Sequence, residues 1–191
     1  DYIYQITEKA ELAEEDILRL HYLFYQQIDA EKAGQYRDVK VYISGSHYGV
    51  TTVSKIPAEM QKLVKWYNDN EKKLHPVELA AELHKRFVFI HPFIDGNGRT
   101  GRLWQSLILG KLNPIFEHLP VENMVYANQQ KYYEAINESN KLGQSGPFVD
   151  FMLGEILKTL DAHRGEPIRK VPNKVPNKVP DKLLDAFPEI N

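Results

Sequence analysis

The sequence has no cysteine among its 191 residues, which excludes both a disulfide framework and a zinc site built from thiolates. It also has no apolar run long enough to span a bilayer, and no signal peptide is visible at its start. The formal net charge is −2, so no strong overall field would attract nucleic acid or an anionic membrane surface. We therefore expect a cytoplasmic chain that contacts no membrane and binds any phosphate through a local group of residues.

Two motifs of nucleotide and metal enzymes are absent as well. There is no HExxH pattern, which would indicate a zinc hydrolase, and no GxxxxGK(S/T) loop, which would indicate a P-loop nucleotidase. His84 lies on an apolar face of a predicted helix, and we interpret it as a hydrogen-bonded core residue rather than a metal ligand. The chain length suits one domain with a hydrophobic core and a short appendage.

The most informative stretch is residues 91–102, which read HPFIDGNGRTGR. Two of its three glycines, Gly96 and Gly98, allow the backbone to turn so that consecutive amide hydrogens point the same way. The apolar residues 103–112 that follow predict a buried helix. Since the N-terminus of a helix attracts anions, the stretch predicts a polyphosphate site.

The charged residues of this stretch support the same interpretation. Arg99 and Arg102 place positive charge in the first turn, which is unfavourable for an isolated helix and indicates that an anion binds there. Asp95 is the one carboxylate in the loop. Phosphate oxygens would repel it unless a divalent cation lay between them, so we predict that Asp95 is a magnesium ligand.

These residues match, position for position, the HxFx(D/E)GNGRxxR signature of the Fic domain, and the chain resembles that family from Arg37 through Phe151. Fic proteins typically transfer AMP from ATP to a hydroxyl of a target protein. The resemblance therefore implies a protein adenylyltransferase that uses ATP with magnesium and modifies a Tyr, Thr or Ser hydroxyl. It also implies that auto-AMPylation could accompany modification of the target.

The resemblance further implies a role for each matching residue. His91 would be the catalytic base, because imidazole titrates near neutrality and can take the proton of the target hydroxyl. The Asn97 side chain would donate to an α-phosphate oxygen, and Arg102 would reach the γ-phosphate. The remaining nucleotide contacts would come from the loop, the start of its helix and, for adenine and ribose, a later helix: Asp95, Gly96, Gly98, Arg99, Thr100, Gly101, Tyr132 and Asn140.

A β-hairpin is predicted before the motif, because Val39, Val41 and Ile43 alternate, the pattern breaks at residues 44–46, and it resumes at residues 51–53. The resemblance implies that this hairpin is a flap that lines the nucleotide and pairs with the target peptide by strand addition. The residues expected at the tip, and thus near the nucleotide, are Gly45, Ser46 and His47.

The remainder of the chain up to about residue 165 reads as helices. Apolar residues recur at helical spacing in one helix behind Glu14, in helices that begin near Pro57 and Pro76, in the helix after the motif, and in two helices around Tyr132 and after Pro147. The stripes of the helix near Pro76 predict burial nearly all round. The predicted fold is mainly α, a Fic-type helical bundle with one β-hairpin flap.

The sequence divides into three parts. Residues 1–165 are the predicted Fic domain. Residues 166–182 carry the repeat VPNK, VPNK, VPDK, whose regularly spaced prolines predict an extended linker. Residues 183–191 regain apolar character, and by resemblance to other Fic proteins we expect the start of a truncated C-terminal module, a winged helix that would bind DNA.

Regulation is expected to lie outside the motif. Many Fic proteins carry an inhibitory helix with the pattern (S/T)xxxE(G/N), whose glutamate pairs with the second motif arginine, here Arg102. The nearest match, Thr7 to Glu11, is followed by Leu12 and so departs from that pattern. Since the sequence begins at Asp1 rather than methionine, we expect the inhibitory helix upstream, with a separate antitoxin or an unrestrained form as alternatives.

Other functions remain open at this point. Within enzymes, the alternatives are removal of AMP, transfer of another nucleotide, and phosphotransfer, although relatives that transfer phosphate usually depart from GNGR. From another class, the domain could be a nucleotide-sensing regulatory module linked to a DNA-binding domain. His91 argues against a pure sensor, since binding alone needs no base.

Overall fold

The computed structural model describes residues 6, 9, 11–42, 49–113, 116 and 125–162. Within these residues the chain forms six α-helices and a single-turn 3₁₀ helix at Val53–Lys55. The α-helices are α1 Glu14–Tyr25, α2 Ile56–Asn70, α3 Pro76–Ile90, α4 Asn97–Leu112, α5 Gln129–Leu142 and α6 Gly146–Ala162. The prediction of a mainly α fold is confirmed.

The helices begin where the sequence places suitable residues. α1 opens with three acidic residues, and the Asp16 carboxylate accepts a 3.0 Å hydrogen bond from the backbone N–H of Ala13, which satisfies an amide at the helix start. Prolines occupy the first turns of α2 and α3, where a missing N–H costs nothing. α1 ends at Tyr25, so Ile28, which continues its apolar spacing in the sequence, lies beyond the helix and is exposed.

α3 forms the centre of the bundle and packs against α2, α4 and α6. Eight of its residues are buried, which confirms that this helix is enclosed on most sides: Leu79, Ala80, Ala81, Leu83, His84, Phe87, Val88 and Ile90. Such a helix is held firmly by its neighbours. It therefore provides a rigid mount for the residue that follows it, His91.

The predicted hairpin is not seen in the described residues, because residues 34–42 and 49–53 on its two sides form no strand. The carbonyls of Val39 and Thr51 accept hydrogen bonds from the Arg37 guanidinium, so these two groups are engaged by a side chain rather than by a facing strand. The predicted tip residues Gly45, Ser46 and His47 lie outside the described residues. The described residues on either side of the predicted tip therefore do not support the β-hairpin.

The predicted linker at 166–182 and the module at 183–191 also lie outside the described residues, so the domain boundaries stay predictions. None of the helices within the described ranges combines the length and apolar character that a membrane span requires.

Candidate active site

His91 lies at the point where α3 ends. Its backbone is left-handed, with φ 53° and ψ 61°, and among the described residues it is the one non-glycine with a positive φ. A β-substituted residue pays roughly 1–2 kcal/mol to adopt this conformation. The conformation stops the helix at Ile90 and turns the chain into the motif loop.

The imidazole of His91 is held with one nitrogen available. Nδ1 lies 3.2 Å from the Val88 carbonyl oxygen, and since a carbonyl only accepts, we assign the proton to Nδ1 and the lone pair to Nε2. Burial is the main cause that lowers the pKa of His91 below its ordinary 6.5, and the nearby charge of Arg37 acts in the same direction. The ring is therefore neutral at pH 7 and able to accept a proton.

The loop after His91 is folded around Phe93 and Asn97, which are both buried. The Asn97 side chain accepts a hydrogen bond from the Phe93 N–H and donates one to the Phe93 carbonyl, each at 2.9 Å. Phe93 is completely buried and anchors the loop in the core. The Asn97 amide closes the loop in this arrangement, and its contact with an α-phosphate stays a prediction.

The N-terminus of α4 has the features of an anion site. Its N-cap is Gly96 with φ 78°, no side chain caps the helix, and the first turn contains no acidic residue, so the first amide hydrogens have no acceptor from a capping side chain. The Arg102 guanidinium lies against Gly98, with Nη1 3.0 Å from the position that a Cβ would take there. This places a fixed positive charge beside the first-turn amides, where both attract phosphate.

Asp95 and Arg99 form an ion pair across this helix start, with Arg99 Nη2 2.9 Å from Asp95 Oδ2. The Asp95 side chain is 57% exposed, which leaves room for a further ligand. No cluster of three His, Cys, Asp or Glu residues able to hold a metal occurs in the described part of the chain. The site therefore fits magnesium bound by one carboxylate together with the phosphates of a nucleotide, and does not fit a cage made by protein groups alone.

Thr100 and Gly101 face the protein interior. The Thr100 hydroxyl donates to the Gly96 carbonyl at 2.9 Å, so it stabilises the first turn. A Cβ on Gly101 would lie 2.7 Å from His84 Cδ2, which shows how closely α4 approaches α3. Both were predicted to contact nucleotide. In the structure, each makes a contact within the protein that explains why this residue type is present.

His84, Gln105 and Tyr132 form a buried polar network that joins α3, α4 and α5. His84 Nδ1 lies 2.7 Å from Gln105 Oε1, and Nε2 lies 3.1 Å from the Tyr132 hydroxyl. Burial lowers the pKa of His84 to about 3. The prediction that His84 is a hydrogen-bonded core residue is confirmed.

Tyr132 is only 3% exposed, and its predicted contact with adenine or ribose stays a prediction. The adjacent Tyr133 is partly exposed, as is Asn140, and the two are seven residues apart on α5. A spacing of two turns places side chains on the same helix face. Of the two tyrosines, Tyr133 is therefore the accessible one and lies on the same face of α5 as Asn140.

Two residues outside the motif support its loop and were not identified from the sequence as site residues. His21 on α1 accepts a hydrogen bond from the Gly34 N–H at 2.9 Å, and its Nε2 lies 3.2 Å from the Asp95 carbonyl oxygen. Its ring stacks on Phe93 with centroids 3.8 Å apart. Arg37 donates to the His91 carbonyl at 2.7 Å.

No local signal in the sequence marks these two residues. His21 and Arg37 precede the groups they contact by 74 and 54 positions, and His21 reads as one more residue of an apolar helix face. The position of Arg37 at the start of the stretch that resembles Fic proteins is the only hint.

Comparison with known proteins agrees with the motif. A profile of the Fic/DOC family matches residues 11–109. Protein adenylyltransferase Fic of Drosophila persimilis is 33% identical over 159 residues, which cover 83% of this chain and 30% of that protein. The protein of the same name from Nematostella vectensis is 31% identical over 163 residues, covering 83% and 35%.

Solved structures agree as well. The crystal structure of a Fic family protein from Desulfovibrio desulfuricans superposes with a TM-score of 0.72 at 30% identity, covering 97% of this chain and 56% of that one. Against the curated relatives, the chain spans about a third of their length.

Proposed function

Because the chain belongs to the Fic/DOC family, we propose that it is a protein adenylyltransferase, which moves AMP from ATP to a hydroxyl of a target protein. One observation carries the proposal. A neutral imidazole with its Nε2 lone pair available ends α3, and a loop of residues 92–96 connects it to the uncapped, arginine-lined start of α4. A base and a polyphosphate site are thus adjacent.

The proposed reaction uses His91 as general base. The target hydroxyl oxygen attacks the α-phosphorus of ATP while its proton passes to His91 Nε2. The new bond joins this oxygen to phosphorus, the bond between the α-phosphorus and the bridging oxygen breaks, and pyrophosphate leaves with the electron pair. The hydrogen bond from Nδ1 to Val88 keeps the ring in the tautomer that this step requires.

The start of α4 would hold and orient the triphosphate. The first-turn amides bind phosphate oxygens, and Arg102, beside Gly98, binds the terminal phosphate through charge-assisted hydrogen bonds. Asp95 would hold magnesium, which when bound neutralises phosphate charge. For that contact the Asp95 carboxylate shares or releases its pairing with Arg99.

Adenine and ribose would bind beyond the loop, towards α5. Asn140 and Tyr133 form a partly exposed pair on that helix, and we infer that Tyr133 supplies the aromatic contact that the resemblance suggested for Tyr132. The substitution Tyr133→Ala should then weaken ATP binding more than removal of the Tyr132 hydroxyl in Tyr132→Phe does.

The target would dock on the segment between Val39 and Thr51, presenting a Tyr, Thr or Ser hydroxyl to His91. Strand addition to this segment stays a prediction, as do auto-AMPylation, regulation by an upstream helix or an antitoxin, a DNA-binding module and a cytoplasmic location.

Mass spectrometry tests the proposal directly. The chain is incubated with ATP, magnesium and a cell lysate, and proteins are searched for a covalent AMP adduct. We expect adducts with the wild-type chain and none with His91→Ala, although both bind ATP. If His91→Ala labels as well as wild type, the enzyme proposal is wrong and a nucleotide-sensing role is favoured.

The reverse reaction, removal of AMP, is tested on the same proteins. Labelled targets are freed of ATP and incubated again with the chain. Loss of the adduct in this second incubation, but not in a parallel one without the chain, would show that the chain also removes AMP, as the de-AMPylase alternative expects.

A further inference from the structure

Arg37 is a buried arginine that contacts three separate stretches of backbone. Only 3% of the Arg37 surface is exposed. Nε donates to the His91 carbonyl at 2.7 Å, Nη1 donates to the Val39 carbonyl at 2.9 Å, and Nη2 donates to the Thr51 carbonyl. One planar group thus connects the residue that ends α3 with both sides of the segment 39–51.

The backbone of Arg37 strengthens this connection. Its N–H donates to the Pro92 carbonyl at 2.9 Å, so the main chain and the side chain bind consecutive carbonyls of the motif loop. The guanidinium nitrogens lie in a fixed plane, and the position of one carbonyl therefore constrains the other two. A flexible ammonium could not impose the same geometry on all three.

Burial of this charge is costly unless its donors are satisfied. In the described residues, all the hydrogen bonds of the Arg37 guanidinium end on carbonyl oxygens, and no carboxylate forms an ion pair with it. An ordinary buried arginine is stabilised by an acid. The arrangement here instead joins two backbone segments to the catalytic residue, which suggests a function beyond stability.

We propose that Arg37 is a positioning residue that sets the distance between His91 and two backbone flanks, residues 38–42 and 49–53, beside which the target would bind. The inference rests on the proposed adenylyl transfer. With Arg37 in place, the flanks at residues 38–42 and 49–53 keep a fixed position relative to His91, and a hydroxyl bound beside them meets Nε2 in reacting geometry. Without it, His91 and the two flanks move independently, while the phosphate site at the start of α4, which Arg37 does not contact, keeps its form.

Three variants of the full chain test this proposal. Arg37→Met keeps the length of the side chain but removes its charge and donors, and Arg37→Lys keeps the charge but loses the planar fork. Arg86→Met is the matched control, because Arg86 lies on the outer face of α3, where it pairs with Glu82 at 3.0 Å and covers the Trp66 ring. Each is compared with wild type in unfolding, ATP affinity, transfer kinetics and backbone hydrogen exchange.

We expect Arg37→Met to bind ATP within about twofold of wild type and to lose about tenfold or more in kcat, since small displacements of reacting groups are costly. Residues 38–42, 49–53 and 91–94 should exchange faster together, whereas α2, α6 and the start of α4 should not change. Arg37→Lys should lie between Arg37→Met and wild type, and Arg86→Met should match wild type.

The outcomes separate this inference from the proposed function. Wild-type kcat and wild-type exchange in Arg37→Met overturn the positioning role, while the adenylyl transfer stands. Loss of ATP affinity in parallel with kcat also overturns it, because it shows a general loss of structure. If the wild-type chain shows no transfer, the proposed function is wrong. Faster hydrogen exchange of the flanks together with the motif loop in Arg37→Met would then show only that Arg37 holds these segments in place. Should Arg37→Met not fold, Arg37→Lys decides: unchanged kcat and exchange in that variant refute the proposal.

Discussion

The left-handed backbone of His91 leads to a prediction that separates its strain from its chemistry. His91→Ala and His91→Gly both remove the imidazole, its proton acceptor and its hydrogen bond to Val88. They differ in whether a Cβ must adopt the φ of 53°. Both variants should therefore lose transfer equally, and yet differ in stability.

The expected difference follows from two opposing effects. Relief of the left-handed strain favours glycine by roughly 1–2 kcal/mol, whereas the greater freedom of glycine in the unfolded chain costs roughly 0.5–1 kcal/mol. The strain relief is the larger effect. His91→Gly should therefore be more stable than His91→Ala by roughly 0.75 kcal/mol, the difference between the middle values of the two ranges, which corresponds to about 1.5–3 °C in Tm for a chain of this size.

Chemical denaturation followed by circular dichroism measures the difference, with ATP affinity as a check that both variants keep the phosphate site. A His91→Ala variant as stable as His91→Gly, or more stable, would refute the reasoning, because it would show that this backbone is not strained. Unequal transfer by the two variants would show that more than the imidazole was changed.

Three further predictions follow from the site. Arg102→Ala should weaken ATP binding by about 10- to 100-fold, the value of a hydrogen bond to a charged group, but ADP binding much less; equal losses in calorimetry would remove Arg102 from the γ-phosphate. Chelation of magnesium should abolish transfer, and Asp95→Asn should raise the magnesium concentration that gives half-maximal labelling; an unchanged titration would exclude Asp95 as a ligand. The free energy of unfolding should fall as the pH drops from 6.5 towards 4, because burial holds the pKa of His21 at about 4 and that of His84 at about 3, so only the unfolded chain binds these protons. The slope is at most about 1.4 kcal/mol per pH unit for each histidine, and urea titrations showing no loss on acidification would contradict it.

The helices could be predicted because their signals are local. Periodic apolar residues and first-turn prolines identified α2 and α3, and burial of α3 on most sides was already visible as two adjacent stripes. The hairpin was less predictable. The alternation of Val39 and Val41 indicates only a local preference for a strand. It cannot indicate that the Val39 carbonyl accepts a hydrogen bond from Arg37.

The motif predicted which residues form the site, but not what each side chain contacts. Asn97 read as a phosphate ligand, and in the fold its amide bonds both backbone groups of Phe93. Neighbouring tyrosines on α5 look equivalent in the sequence. Only the packing of α5 against α3 and α6 decides that Tyr132 is buried.

By itself, the sequence determined the mainly helical architecture and the family, and it predicted the stretch, residues 91–102, in which phosphate would bind. These depend on neighbours within a few positions, such as glycines that free the backbone and arginines one turn apart. The tertiary structure alone decided which nitrogen of His91 is available, how His21 and Arg37 hold the motif loop, and which polar side chains form their hydrogen bonds inside the protein. Such contacts join residues separated by tens of positions, and hydrogen bonds depend on distance in space rather than on distance along the chain.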